Sequence, residues 1–320
     1  MPIFFPMTGN EALASDLASL TAGEVGQIQL RHFPDGETYV RILSDVKGRD
    51  AFLVCTLARP DPKFLQLAFT ASTVRGLGAA TVKLIAPYLA YMRQDRIFHP
   101  GEALTSRAFA ELISRHFDGL VTVDPHLHRR LSLDEVYDIN STVVHAAPLF
   151  ARWIETHVEA PFVIGPDRES EQWVEGIARD AGAPWTVFEK ERRGDRKVHL
   201  HSPNLHHFRD RTPVLVDDIL SSGATMLQAI RLLREENFEC PYCLAVHSLC
   251  SAATARRVRD NSAGFLTSNT IANPDWAFDV APLIADALVE TAAMKDSASR
   301  PNSGRSTGQS PPPKTQACSR

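Results

Sequence analysis

The sequence predicts an α/β fold of two tandem domains, each a mainly parallel sheet flanked by helices. Three observations carry that expectation. Short apolar runs without strict alternation stand at 51–57 (AFLVCTL), 80–88, 119–124, 161–167, 212–218 and 243–249, the pattern of strands covered on both faces. Between most of them lie stretches of helical length, such as SRAFAELISRHF and TMLQAIRLLREENF, with apolar residues at three- and four-residue intervals. The alternation then runs a second time with no low-complexity break, in a chain of 320 residues that has room for two cores.

The expected division is 1–147, 148–294 and a tail, 295–320. The halves are expected to be alike in architecture, with no sequence repeat linking them. The tail, rich in Ser, Pro and Gly and nearly devoid of large apolar residues, cannot bury enough surface to offset ordering and is expected to be disordered. A formal net charge of -4 gives no basic surplus for nucleic acid or an anionic membrane. The N-terminal stretch MPIFFPMTGNEAL lacks the basic start and apolar core of a signal peptide, so a cytoplasmic enzyme is expected. Five cysteines do not make a disulfide scaffold. Cys240 and Cys243 have dithiol spacing, but they lie between a helix and a strand in the reverse of the redox order, and are read as buried or incidental.

The chemistry concentrates in VLVDDILSSGATM, residues 214–226. A buried strand leads into two adjacent carboxylates, Asp217 and Asp218, then a loop of small residues, then a helix. In open parallel sheets ligands bind outside the carboxyl ends of the strands. Ser221, Ser222, Gly223, Ala224 and Thr225 offer backbone N–H groups, hydroxyls and a helix N-terminus to a phosphate. The helix field contributes only about 0.3–1 kcal/mol at an exposed site, so the loop's hydrogen bonds must supply most of the grip. The carboxylates would repel a phosphate and suit sugar hydroxyls. An N-cap explains one aspartate but not two followed by SSGAT. The stretch reads as a site for a phosphorylated sugar.

VLVDDILSSGAT resembles the phosphoribosyl-pyrophosphate (PRPP) motif shared by phosphoribosyltransferases and ribose-phosphate diphosphokinases, also called PRPP synthetases. The remaining motifs, over residues 2–290 and in family order, resemble the diphosphokinases. That resemblance implies two phosphoribosyltransferase-like domains, ATP and ribose 5-phosphate as substrates, Mg²⁺ as cofactor, and a homo-oligomer whose sites are completed by a neighbouring subunit.

Each segment has a physical rationale beside the resemblance. In RHFPDGETYVRI, Phe33, Asp35 and Glu37 are similar to the loop that packs on adenine, offering a ring for stacking and acceptors for an amine. Arg93, Gln94, Asp95 and Arg96 are similar to the ATP segment, where paired arginines hold polyphosphate charge. His126 and Asp167 stand at positions of magnesium-associated residues. Lys190 and Arg192 match the Lys-x-Arg pair of the catalytic loop, where cations stabilise phosphoryl transfer. Arg168, Glu169 and Ser170 depart from the pattern, because many members have two glycines after the aspartate. The departure favours a regulatory relative without catalysis, and a PRPP-using phosphoribosyltransferase is the other rival. Retention of Lys190, Arg192 and His126 favours the enzyme.

Overall fold

A computed structural model describes residues 1–97, 99–127, 130–193, 197–201 and 205–299, with backbone alone at 169, 172, 190–193, 197–201 and 294–299. The first half comprises β1 (Ile3–Pro6), α1 (Glu11–Leu20), β2 (Glu24–Val25), β3 (Ile28–His32), β4 (Thr38–Ile42), β5 (Asp50–Val54), α2 (Asp61–Gly76), β6 (Thr81–Ala86), α3 (Thr105–His116), β7 (Gly119–Val123) and β8 (Asn140–Val144). After α4 (Ala147–His157) the second half comprises β9 (Pro161–Gly165), α5 (Glu171–Asp180), β10 (Trp185–Val187), β11 (Glu189–Arg193), β12 (Lys197–His201) and β13 (Thr212–Leu220). It continues with α6 (Ala224–Glu235), β14 (Tyr242–Ser248), α7 (Ala252–Arg259), β15 (Gly264–Ser268), β16 (Trp276–Phe278) and α8 (Ala281–Ser299).

The expected architecture is present. Two six-stranded sheets have the orders β2-β1-β5-β6-β7-β8 and β10-β9-β13-β14-β15-β16, and every neighbouring pair within them is parallel. The second order is the first with each strand replaced by its counterpart. Each half also projects an antiparallel hairpin from the same point of the chain, β3–β4 in one and β11–β12 in the other.

Packing is less separable than the sequence suggests. An outer core lies under α2 and α3 on the first sheet, and another under α6 and α7 on the second. Between the sheets runs one continuous apolar cluster. It takes Phe4, Phe52 and Val121 from one sheet, Val163, Val214 and Leu244 from the other, and the inner faces of α1, α4, α5 and α8. The two halves therefore share a helical layer. α8, assigned to the second domain by sequence, returns to pack on α1, β7 and β8 of the first. It also runs to Ser299, five residues into the expected tail; residues 300–320 lie outside the described residues.

The two halves share one short identity at equivalent helix starts. Ala147-Pro148-Leu149 opens α4, and Ala281-Pro282-Leu283 opens α8 at the matching point of the second half. Proline in the first helical turn costs no hydrogen bond, and the same tripeptide serves the same junction twice. β13 also differs from expectation. It continues to Leu220, so Asp217 and Asp218 lie within the strand and not at its end.

Candidate active site

The motifs around Asp217, Asp167, His126 and Arg93 meet at the seam between the halves, beyond the carboxyl ends of the strands. Asp217 and Asp218 are half-buried on β13, and the Asp218 backbone N–H donates to Asp217 Oδ1 at 3.0 Å. Burial, followed by the charges of Asp218 and Asp167, pushes the Asp217 pKa well above the ordinary carboxylate range. Asp167 follows β9, so two strands of the second sheet bring three carboxylates together.

Beyond Leu220 the chain turns through Ser221 and Ser222 into Gly223, which caps α6 with φ +72°. A β-carbon at Gly223 would lie 2.6 Å from Thr254 Cγ2. Conformation and space both require glycine here. The Leu227 N–H reaches the Gly223 carbonyl, which leaves the first-turn N–H groups at Ala224 and Thr225 without intrahelical acceptors. The Ala224 N–H is held by Ser222 Oγ at 3.4 Å. Strand, turn and helix thus present hydroxyls and N–H groups beside the carboxylates, as the sequence suggested.

The first half closes this site from the other side. His126, two residues beyond Asp124 at the end of β7, donates from Nδ1 to Asp218 Oδ2 at 2.7 Å. A carboxylate can only accept, so the proton resides on Nδ1. Tyr88, buried at the end of β6, lies close enough to both Arg93 and Asp218 for each charge to act on its hydroxyl. The Arg93–Arg96 segment therefore borders the same centre. Its fold is fixed by Gln94, whose Oε1 accepts from Thr105 Oγ1 at 2.9 Å and whose carbonyl accepts the Ser106 N–H at the start of α3. Arg130 donates to the Asp95 carbonyl at 3.5 Å.

The Phe33 hairpin is not brought to this centre. Phe33, Asp35 and Glu37 are exposed at its tip. Gly36, at φ +94°, makes the turn, and Glu37 N–H donates to Asp35 Oδ1. Arg31 lies 4.6 Å from the Phe33 ring centre and 4.1 Å from that of Tyr39. Among the described residues, the tip's hydrogen bonds and ring contacts run within the hairpin, and His32 reaches Gln66 of α2. Lys190 and Arg192 lie on β11, opposite Leu200 and Val198 of β12; their side chains lie outside the described residues.

The altered loop forms a helical turn, Arg168–Ser170, leading into α5. Ser170 is buried and its hydroxyl donates to the Asp167 carbonyl at 2.7 Å. Arg168 turns outward to Glu189 Oε1 at 2.6 Å, at the first residue of β11. Side-chain bonds close a turn that glycines would otherwise leave open. Of the cysteine pair, Cys243 is buried on β14, with burial pushing its thiol pKa up, while Cys240 is exposed.

Among the described residues no three His, Cys, Asp or Glu side chains form a metal-binding group. The three crowded carboxylates are nonetheless a donor set that fits a hard cation sharing its ligands with substrate phosphates. Nothing in the local sequence singles out Tyr88 or His247. Both are ordinary residues at strand ends, and only their meeting across the seam marks them.

Two family models cover most of the chain: the N-terminal domain of ribose phosphate pyrophosphokinase over residues 3–116 and the phosphoribosyl transferase domain over residues 132–284. The ribose-phosphate pyrophosphokinase of Saccharolobus solfataricus is 32% identical over 79% of this chain and 87% of its own. That of Methanopyrus kandleri is 32% identical over 86% and 94%. The chain belongs to the ribose-phosphate pyrophosphokinase family. The fold of this family member matches the crystal structure of phosphoribosylpyrophosphate synthetase from Mycobacterium smegmatis with a TM-score of 0.80. That match covers 92% of this chain and 99% of the other at 23% identity. Among the described residues, no helix is long and apolar enough to cross a membrane.

Proposed function

We propose that this chain transfers the diphosphate of ATP to O1 of ribose 5-phosphate, giving PRPP and AMP. The observation that carries the reading is the hydrogen bond from His126 to Asp218, which joins the strand leading into the ribose-phosphate loop of one half to the magnesium-associated segment of the other. A phosphoribosyltransferase that consumes PRPP has no use for the Arg93–Arg96 segment in that position.

Ser221–Thr225 hold the 5-phosphate through N–H groups and hydroxyls, while Asp217 and Asp218 accept from ribose hydroxyls. Ribose O1 attacks the β-phosphorus of ATP as the bond to the bridging α–β oxygen breaks, and AMP departs with that oxygen. The O1 proton passes to the Asp217–Asp218 pair. Arg93 and Arg96 hold the polyphosphate, with Gln94 and Asp95 ordering them. Lys190 and Arg192, on the β11–β12 hairpin, stabilise the charge that develops on the transferred group. His126 and Asp167 would hold Mg²⁺ beside Asp218, and the bound ion supplies charge neutralisation on the polyphosphate.

Phe33, Asp35 and Glu37 serve the adenine of a neighbouring subunit's ATP. Their position at an exposed tip, whose hydrogen bonds and ring contacts among the described residues stay within the hairpin, supports that role and a homo-oligomer. The division at 147/148 and a cytoplasmic location complete the reading.

The test is AMP release from ATP and Mg²⁺ with and without ribose 5-phosphate. Ribose-dependent AMP is the expected result. Binding of ribose 5-phosphate without any AMP would overturn the reading in favour of a regulatory relative, with residues 168–170 as the lesion to examine.

A further inference from the structure

His247 is buried on β14 of the second half, 1% exposed, yet both its ring nitrogens are engaged across the seam. Nε2 lies 3.1 Å from the Val123 carbonyl and 3.2 Å from the Asp124 carbonyl of the first half. Carbonyls only accept, so Nε2 carries the proton and Nδ1 is the acceptor, taking a bond from Thr270 Oγ1 at 2.9 Å. Thr270 is itself anchored, because its carbonyl accepts from Thr56 Oγ1 of the first half at 2.6 Å. The Tyr88 ring meets the His247 ring edge-on at 5.0 Å, which fixes the imidazole plane.

What His247 holds is strained. Asp124 has φ +34°, the left-handed region that costs a non-glycine residue free energy unless its surroundings impose it. The surroundings do so from both ends of the residue. The Asp124 carboxylate accepts from the Ala146 N–H and from His145, both at 2.8 Å. Its carbonyl, and that of Val123, accept from His247. This left-handed turn redirects the chain leaving β7 so that His126, two residues on, faces Asp218.

We infer that His247 is a positioning residue: by fixing the Val123 and Asp124 carbonyls it holds Asp124 in its left-handed turn and so aims His126 at Asp218. It touches no substrate in this arrangement, and acts through His126. The kinetic consequence rests on the proposed diphosphate transfer, whereas the geometric one does not.

Two variants separate this role from general support of the seam. His247→Leu keeps the bulk and removes the donor; His247→Gln restores an N–H donor at the reach of Nε2. In a crystal structure of His247→Leu, Asp124 should leave the left-handed region and His126 should move out of hydrogen-bonding distance of Asp218. His126 still bonded to Asp218 would overturn the inference, whatever activity the wild-type protein shows. In ribose-dependent AMP release, His247→Leu should lower kcat by about tenfold, the loss expected when two buried acceptors are left unpaired. The Kd for ribose 5-phosphate should stay within about twofold, because the N–H groups and hydroxyls of that loop belong to the turn between β13 and α6 and His247 bonds none of them. His247→Gln should recover most of the turnover. Equal losses in both variants, accompanied by loss of ribose 5-phosphate binding, would mean a merely structural histidine and would overturn the assignment.

Discussion

The two halves follow the same path, element for element, yet one carries a polar site where the other carries a plug. Cross-strand register aligns them residue by residue. Phe52, opposite Phe4, corresponds to Val214, opposite Val163, which sets Cys55 and Thr56 against Asp217 and Asp218. Asp218 reaches across the seam to His126, whereas Thr56 reaches across to the carbonyl of Thr270. Continuing along the register, Tyr88 corresponds to His247, and these two counterparts pack on each other. Asp124 corresponds to Asn269. Asp124 caps α4 through Ala146 and bonds His145, while Asn269 accepts from Val280 N–H at the start of α8 and bonds Asp279. The mirrored pair identifies Asp124 as a structural cap, although it lies two residues from His126. A repeated fold thus distinguishes what the architecture needs twice from what the chemistry needs once.

The sharpest test of that distinction is on the paired hairpins. Lys190→Ala, on the second, should lower turnover by roughly 10³-fold while leaving ribose 5-phosphate binding unchanged in calorimetry. Equal loss of binding would deny the two hairpins separate roles. Next comes the pair at the seam. Asp218→Ala should lower kcat/KM by roughly 10²–10⁴-fold. Thr56→Ala should instead cost about 1 kcal/mol in chemical denaturation and leave KM for ribose 5-phosphate alone. A catalytic defect from Thr56→Ala comparable to that of Asp218→Ala would show that the first half is no plug.

Gly223→Ala should weaken ribose 5-phosphate binding by about tenfold, since a left-handed alanine costs roughly 1–2 kcal/mol and its methyl would press on Thr254. Unchanged affinity would show that the loop relaxes without penalty. Phe33→Ala on the first hairpin should raise KM for ATP about fivefold with no change in stability, the loss of a base-stacking contact of about 1 kcal/mol.

The smallest effect concerns the mirrored caps. Hydrogen bonding to Asp124 raises the His145 pKa above 6.5. Protonated His145 therefore favours the folded state, and that contribution is full below about pH 6.5 and lost as pH rises through the higher folded value. His145→Asn should flatten this part of the stability–pH curve in urea titrations. In the second half the counterpart of Asp124 is Asn269, whose amide does not ionise. A stability–pH curve unchanged by the substitution would show that the first cap is equally insensitive.

The sequence by itself determined the six central strands β5, β6, β7, β9, β13 and β14 and the amphipathic helices between most of them, because those are periodicities of a few residues. It also marked Asp217 to Thr225 as a candidate phosphate-sugar site, because those residues are contiguous and their chemistry is local. Only the tertiary structure decided that the two domains share one helical layer, with α8 returning to the first sheet, since apolar residues at helical spacing do not name the surface they cover. The same holds for His126 on Asp218, 92 residues apart in the chain, and for His247 beneath the Asp124 turn. Hydrogen bonds between distant residues are set by how two sheets meet, and no local pattern in the chain encodes that meeting.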